Sequence, residues 1–286
     1  MSKKTLLSFG HGYSAQALTA LLPSSEWRVV GTTRSAEKAD ALERTGARAV
    51  VWPGSDISDV LAEADALLIS AAPDDAGDPV LARLAADIAL RAPQFSWVGY
   101  LSTTGVYGDH GGAWVDEQTS LTPTTKRGRA RVSAESAWQA IPGLALHIFR
   151  LAGIYGPGRG PFAKVRAGTA RRIIKQDQIF SRIHVDDIAQ VLEASLRQPN
   201  PGAIYNLCDD DPAPPQDVIG FAAQLLNLPE PPAEDFETAE MSPMARSFYA
   251  ESKKVRNDLI KSELGVTLKH PHYRAGLRAL LDADPA

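Results

Sequence analysis

Six residues near the N-terminus, Gly10-His11-Gly12-Tyr13-Ser14-Ala15, concentrate the chemistry of this chain. They follow a β-rich apolar run, Thr5–Phe9, and open a helical stretch, Tyr13–Leu22, stopped by Pro23. In a Gly-x-Gly-x-x-Ala turn the first glycine permits a tight bend and the second removes a side chain where phosphates must approach. The small third residue lets the helix lie close on the strand. The helix start then offers unpaired N–H groups and a partial positive charge to an anion. The spacing and setting predict binding of a dinucleotide pyrophosphate.

Which dinucleotide is read at the end of the second strand. An acidic residue there would hold a ribose 2′-OH, but the string is Gly31-Thr32-Thr33-Arg34. Thr33 and Arg34 suit a 2′-phosphate, whose charge an acid would repel, so NADP is expected and NAD is the alternative. Asp56 is a candidate for the adenine amino group or for a helix cap, since Asp56-Ile57-Ser58-Asp59 begins a helical stretch. Ala71-Ala72-Pro73 offers small residues against which a ribose could lie.

These residues need a scaffold of alternating strands and helices. Strands are expected at Thr5–Phe9, Trp27–Thr32, Ala47–Val51, Ala66–Ser70, Phe95–Leu101 and Leu144–Arg150. Helices fall between them at Tyr13–Leu22, Ala36–Arg44, Ile57–Glu63, Pro79–Arg91 and Gly128–Ala140. Runs such as Ala66-Leu67-Leu68-Ile69 are apolar on both faces, as in a parallel sheet covered by helices on both sides. Past residue 160 the pattern loosens. A helix at Val185–Leu196 and a strand at Ala203–Leu207 are followed by a Pro- and acid-rich loop within Pro212–Glu240 and by helices near Ser252–Leu264 and Tyr273–Leu281. The expected fold is α/β, a doubly wound parallel sheet of Rossmann type over 1–160 with a smaller α/β substrate lobe over 161–286. Parts of 183–210 rejoin the first domain.

Four further strings resemble the extended short-chain dehydrogenase/reductases of the NAD-dependent epimerase/dehydratase family: Ser102-Thr103-Thr104-Gly105-Val106-Tyr107-Gly108, Arg150-Leu151-Ala152-Gly153-Ile154-Tyr155-Gly156-Pro157-Gly158, Arg182-Ile183-His184-Val185-Asp186-Asp187-Ile188-Ala189 and Tyr205-Asn206-Leu207. The resemblance implies that Thr103 orients a substrate oxygen and that Ser102, Ile154 and Tyr155 lie near the cofactor. It also implies a Tyr-x-x-x-Lys pair, the Tyr as general acid/base and the Lys lowering its pKa. Counted back from Ala134-Glu135, the Tyr position is Arg127 and the Lys position Arg131. An arginine stays protonated and cannot act as a base, so the chain resembles an atypical branch. Arg131 could still hold a ribose hydroxyl or a phosphate. Thr104-Gly105 replaces the Asp-Glu of sugar-nucleotide dehydratases, which argues against dehydration. A literal Tyr249-Ala250-Glu251-Ser252-Lys253 lies far downstream and is read as structural. The resemblance also brings an expectation of a homodimer through the helices flanking the fifth strand.

Two basic clusters, Lys126/Arg127/Arg129/Arg131 and Lys164/Arg166/Arg171/Arg172/Lys175, suit an anionic small-molecule substrate. In the loop Asp109–Glu117, Trp114 could cap a pocket, and His110 or Asp116 could donate protons. His270-Pro271-His272 is isolated in sequence, so no metal is expected, and no Gly-x-Ser-x-Gly elbow occurs. The net charge of −4 makes a general nucleic-acid partner unexpected. One cysteine, Cys208, excludes an intrachain disulfide and fits a cytoplasmic setting. The apolar run behind Lys3 and Lys4 is too short for a signal peptide, and no membrane span is expected. The expected function is an NAD(P)-dependent oxidoreductase or epimerase with a non-standard acid/base. A non-catalytic NADP(H)-binding regulator or scaffold is the alternative, and a methyl transferase fits least.

Overall fold

The structure is a computed structural model and describes residues 3–283. Its first half alternates as the sequence pattern requires: β1 (Lys4–Phe9), α1 (Tyr13–Leu21), β2 (Trp27–Thr33), α2 (Ala36–Glu43), β3 (Arg48–Val51), α3 (Ser58–Ala62), β4 (Ala66–Ile69), α4 (Leu81–Arg91) and β5 (Trp97–Thr103). A 3₁₀ turn, Thr104–Tyr107, leads to the short β6 (Trp114–Val115), then α5 (Lys126–Gln139), β7 (Leu146–Leu151) and β8 (Gly153–Tyr155). The remainder is α6 (Phe162–Arg166), β9 (Arg172–Ile174), β10 (Arg182–His184), α7 (Val185–Arg197), β11 (Ile204–Leu207), α8 (Pro215–Leu225), β12 (Ala233–Asp235), α9 (Pro243–Phe248), β13 (Lys254–Val255), α10 (Asp258–Ser262) and α11 (Tyr273–Ala283).

Seven strands form one parallel sheet in the order β11-β7-β5-β4-β1-β2-β3. The order reverses between β1 and β4, and ligands of doubly wound sheets bind outside the carboxyl ends of the strands at that point. All four side chains of β4 are buried, which is why it reads as an unbroken apolar run. One apolar layer, with Leu18, Ile188 and Ile260, covers one face of the sheet, and another, with Val60, Ile88 and Trp138, covers the other. A third cluster joins α6, α8 and α11. Buried polar groups fasten the layers. The Trp138 indole donates to Asp78 (3.1 Å), the Trp97 indole donates to Ser195 (3.0 Å), and the Asp187 carboxylate accepts the N–H groups of Lys269 (2.6 Å) and His270 (3.1 Å). Among the described residues no helix is long and apolar enough to cross a membrane.

One expectation needs correction. The helix expected over Ser252–Leu264 is instead β13 followed by α10. The segment is captured as a strand: Ser252 O accepts the N–H groups of His110 (3.1 Å) and Gly112 (3.0 Å), and β13 then pairs in parallel with β6. Within Pro212–Glu240 the expected loop at 229–232 is present and mostly exposed, and α8 and β12 flank it. The acidic residues Glu230 and Glu234 are ion-paired to Arg172 and Arg171, each at 2.8 Å.

Candidate functional site

β1 ends at Phe9, and the chain bends at Gly10 with φ +73°. A Cβ there would lie 2.8 Å from the Ala71 nitrogen, so only glycine fits. The bend is held by Gly10 N–H to the Thr32 hydroxyl (2.9 Å) and His11 N–H to Thr32 O (3.0 Å). A Cβ on Gly12 would meet only the Gly10 carbonyl, at 3.7 Å, so the space before the turn is open. α1 starts at Tyr13 without a side-chain cap, and its first N–H groups have no acceptor within the helix. Ala15 is buried in the α1 packing layer. This cradle fits a pyrophosphate.

Two side chains of the turn point elsewhere. The His11 ring is buried where a Gly31 side chain would stand, 2.6 Å from an ideal Cβ, with Nε2 3.3 Å from the Thr19 hydroxyl. Burial lowers its pKa to about 4. The Tyr13 hydroxyl donates to Pro157 O (3.0 Å). In this structure both side chains are held by contacts within the chain.

Arg34 follows β2, is exposed, and makes no hydrogen bond or ion pair with the other described residues. The Thr33 hydroxyl accepts Ser35 N–H (3.4 Å). Asp56 is exposed and accepts Ser58 N–H (2.9 Å) at the start of α3, and that bond lowers its carboxyl pKa. Asp56 thus sits one residue before the cap of α3, which is Ile57, and its bond to Ser58 closes the turn leading into the helix. Ala71 abuts Gly10, while Ala72 is exposed beside Pro73.

A cavity of about 690 Å³ opens at the carboxyl ends of the strands. Ser14 and Ser70 line one end, beside the glycine turn, and Ser102, Thr103, Arg127, Arg131, Ile154 and Tyr155 line it farther in. Arg34, Asp56 and residues 71–73 lie outside it. The Thr103 hydroxyl accepts Gly105 N–H (3.2 Å). Thr125 caps α5 by accepting Gly128 N–H (3.0 Å), which fixes the helix carrying Arg127 and Arg131 one turn apart. Arg131 donates to Leu101 O (2.7 Å) and the Tyr100 hydroxyl (3.1 Å), and burial pushes that phenol up to about 12. Arg127 is exposed and lies 5.5 Å over the Phe248 ring.

Behind Ser102 runs a buried polar chain. Ser102 donates to Glu135, Glu135 pairs with Arg150 (2.8 Å), Arg150 donates to the Tyr107 hydroxyl (3.0 Å), and Tyr107 donates to Asn206 (2.7 Å). Tyr155 lines the cavity, but its buried hydroxyl has no hydrogen-bond partner among the described residues and would strike a Cβ at Gly276. Burial raises its pKa, with the nearby Asp209 and Asp187 adding to the shift.

One wall was not expected from sequence. Ser247, Phe248, Glu251 and Lys253 line the cavity, with Arg159 and Arg182. Lys253, set aside as part of a structural Tyr-x-x-x-Lys, is buried there. Tyr249 is not in the lining and packs 5.5 Å from Phe180. The signal in the sequence was the alternation Glu251-Ser252-Lys253, which at strand spacing puts both charges on one side.

Other candidates fall away. Trp114 lies outside the cavity under Lys254 and Arg256, His110 bonds to Tyr107 O (3.0 Å), and Asp116 caps a turn through Gln118 N–H (3.1 Å). The second basic cluster lies outside the lining, with Lys175 donating to Tyr249 O. His270 is not isolated: its ring lies 3.9 Å from that of His184, and its Nε2 is 3.5 Å from Asp186. These three could hold a metal ion by proximity. The His184 Nδ1, however, already accepts the Asp186 N–H (3.2 Å), so the group serves as the cap of α7.

No protein-family profile matches the chain. A solved structure from Silicibacter pomeroyi DSS, described as a functionally unknown conserved protein, is 62% identical with a TM-score of 0.96 over 98% of this chain and 99% of that one. The two belong to one family. Protein YeeZ of Escherichia coli (strain K12) is 29% identical over 242 residues, covering 80% of this chain and 86% of YeeZ. UDP-glucuronic acid 4-epimerase of Bacillus cereus, solved with NAD, has a TM-score of 0.77 at 16% identity over 97% of each chain. Human epimerase family protein SDR39U1, solved with NADPH, has a TM-score of 0.75 at 18% identity over 97% of this chain and 99% of that one. The chain has the extended short-chain dehydrogenase/reductase fold. At such identities the two epimerase-family structures bear on the fold alone, and the short-chain dehydrogenase/reductase scaffold is the part of the resemblance they share with this chain.

Proposed function

We propose that the protein is an NADP(H)-dependent oxidoreductase or epimerase acting on a small anionic molecule. The observation that carries this reading is the continuity of one cavity from Ser14 and Ser70, beside the glycine turn, to Thr103, Arg127 and Arg131. A nicotinamide cofactor, as found in both epimerase-family structures, supplies a hydride acceptor or donor when bound. The chain's part is to seat the pyrophosphate on the N–H groups of α1, present the Thr103 hydroxyl to a substrate oxygen, and hold negative charge with Arg127. The unpaired Arg34 is assigned to the 2′-phosphate. Calorimetry tests this: wild type should bind NADP(H) at least about tenfold tighter than NAD(H), a difference of about 1.4 kcal/mol, and Arg34→Asp should reverse the order. Tighter NAD(H) binding by wild type would overturn the cofactor assignment.

A second reading, a non-catalytic NADP(H)-binding regulator, is favoured by the bonds that hold Arg131 to β5. It expects cofactor binding without hydride transfer. NADPH absorbance followed with anionic carbonyl compounds separates the two, and turnover that Thr103→Ala abolishes would eliminate the regulator. We also assign the protein to the cytoplasm and to a homodimer through α4 and α5, which sedimentation at micromolar concentration would test.

A further inference from the structure

The wall formed by residues 247–253 faces the basic residues of α5, and its most buried charges are Glu251 and Lys253. Their side chains are each 10% exposed, and Lys253 Nζ lies 2.8 Å from Glu251 Oε2. Both residues line the same cavity as Arg127. They are fastened to the two loops that carry the rest of the site. Lys253 donates to Gly108 O (2.7 Å), just past the 3₁₀ turn that follows Thr103, and Glu251 accepts from the Thr124 hydroxyl (2.8 Å), just before the cap of α5. The segment between is rigid: Ser252 N–H donates to Asp109 (2.7 Å), the Ser252 hydroxyl to Asp177 O (2.8 Å), and the Gln178 amide to Glu251 O (2.7 Å).

A structural ion pair would need no cavity. This one stands in the wall of the cavity that also holds Thr103 and Arg127, and among the described residues its hydrogen-bonding capacity is incompletely used. An ammonium has three donors, and Lys253 spends them on Gly108 O and Glu251, leaving one. Each carboxylate oxygen accepts more than one hydrogen bond, and among the described residues Glu251 receives one donor at each, Thr124 and Lys253. A free cationic donor beside a free anionic acceptor suits a ligand that carries both an oxyanion and hydroxyl groups. An anion without hydroxyls would meet the Glu251 charge and gain nothing from it.

We propose that Glu251 and Lys253 form the substrate-recognition pair of this cavity: Lys253, with Arg127 on the facing helix, binds the oxyanion of a small polyol acid, and Glu251 accepts its hydroxyl groups. This rests on the cavity being the substrate site and sharpens the class of substrate. The oxyanion is a carboxylate or a phosphate, and separate probes distinguish them.

Calorimetric titrations of D-gluconate, glycerol 3-phosphate and hexanoate are run with and without saturating NADPH. At least one hydroxylated anion should bind wild type about tenfold tighter than hexanoate, and the stronger of the two names the oxyanion. Lys253→Met should weaken that probe about tenfold or more, and Lys253→Arg should restore part of the loss. Glu251→Gln should shrink the preference over hexanoate while NADPH affinity is unchanged. Because Lys253 is buried, the double variant Glu251→Gln/Lys253→Met removes both charges and serves if a single variant fails to fold. The proposal is overturned if neither hydroxylated anion binds wild type, or if the variants bind it as wild type does. Absence of NADPH binding by wild type, with gluconate or glycerol 3-phosphate still bound through Lys253, would instead sink the cofactor reading and leave this pair standing.

Discussion

Gly31 lacks a side chain because the His11 ring occupies the place of one. Gly31→Ala should therefore cost about 1–3 kcal/mol, the usual toll of overpacking, read from the urea midpoint. Arg150 and Glu135 are a different case. Their side chains are 4% and 2% exposed, and removing one partner strands a buried charge. Arg150→Met should lose about 3–5 kcal/mol in denaturant unfolding, and adding Glu135→Gln should recover a good part of it. At this scale the sequence was legible where a backbone demand or close packing dictates the residue, as at Gly10 and Ala15, and where a string of neighbours lines the cavity, as at Ser102-Thr103-Thr104-Gly105. Lys253 and His270 were not legible, because their partners Gly108 and His184 lie far away along the chain and only the fold brings them together.

α5 shows how an element positions the site. Its start is set by the Thr125 hydroxyl, and a Cβ on Gly128 would come within 2.7 Å of Gly105 O, so the helix presses directly on the 3₁₀ turn after Thr103. Thr125→Ala should cost about 1 kcal/mol by thermal melting and should weaken binding of an anionic ligand in the cavity, because the first turn carries Arg127. The long, strongly patterned elements, β1 to β5 and α4 among them, were readable from apolar runs and turn residues alone. The short ones were not. β6 and β13 are two residues each and are held by pairing with one another, and β12 pairs with β9 beside ion pairs that tie Glu234 and Glu230 to Arg171 and Arg172.

Across the whole molecule, buried titratable groups give stability opposing slopes with pH. His11 and His147 are held neutral by burial, each with a pKa of about 4 against 6.5 when unfolded. The unfolded chain therefore takes up protons first, and the stability these groups secure is lost as pH falls from about 6.5 to about 4. Asp209 runs the other way. Burial raises its carboxyl to about 8, so the fold keeps a proton that the unfolded chain releases, and stability declines as pH rises from about 4 toward 8. Asp209→Asn should be more stable than wild type at pH 8, with the gap narrowing steadily as pH falls and closing near pH 4, when unfolding free energies are measured across that range. The division of the cavity has a further consequence. One end lies beside the glycine turn of the first strands, and the opposite wall is formed by residues 247–253, hung on β6 and β13. Changes along that wall leave the seven-stranded sheet untouched, so natural selection could retune what fits the cavity without disturbing the glycine turn.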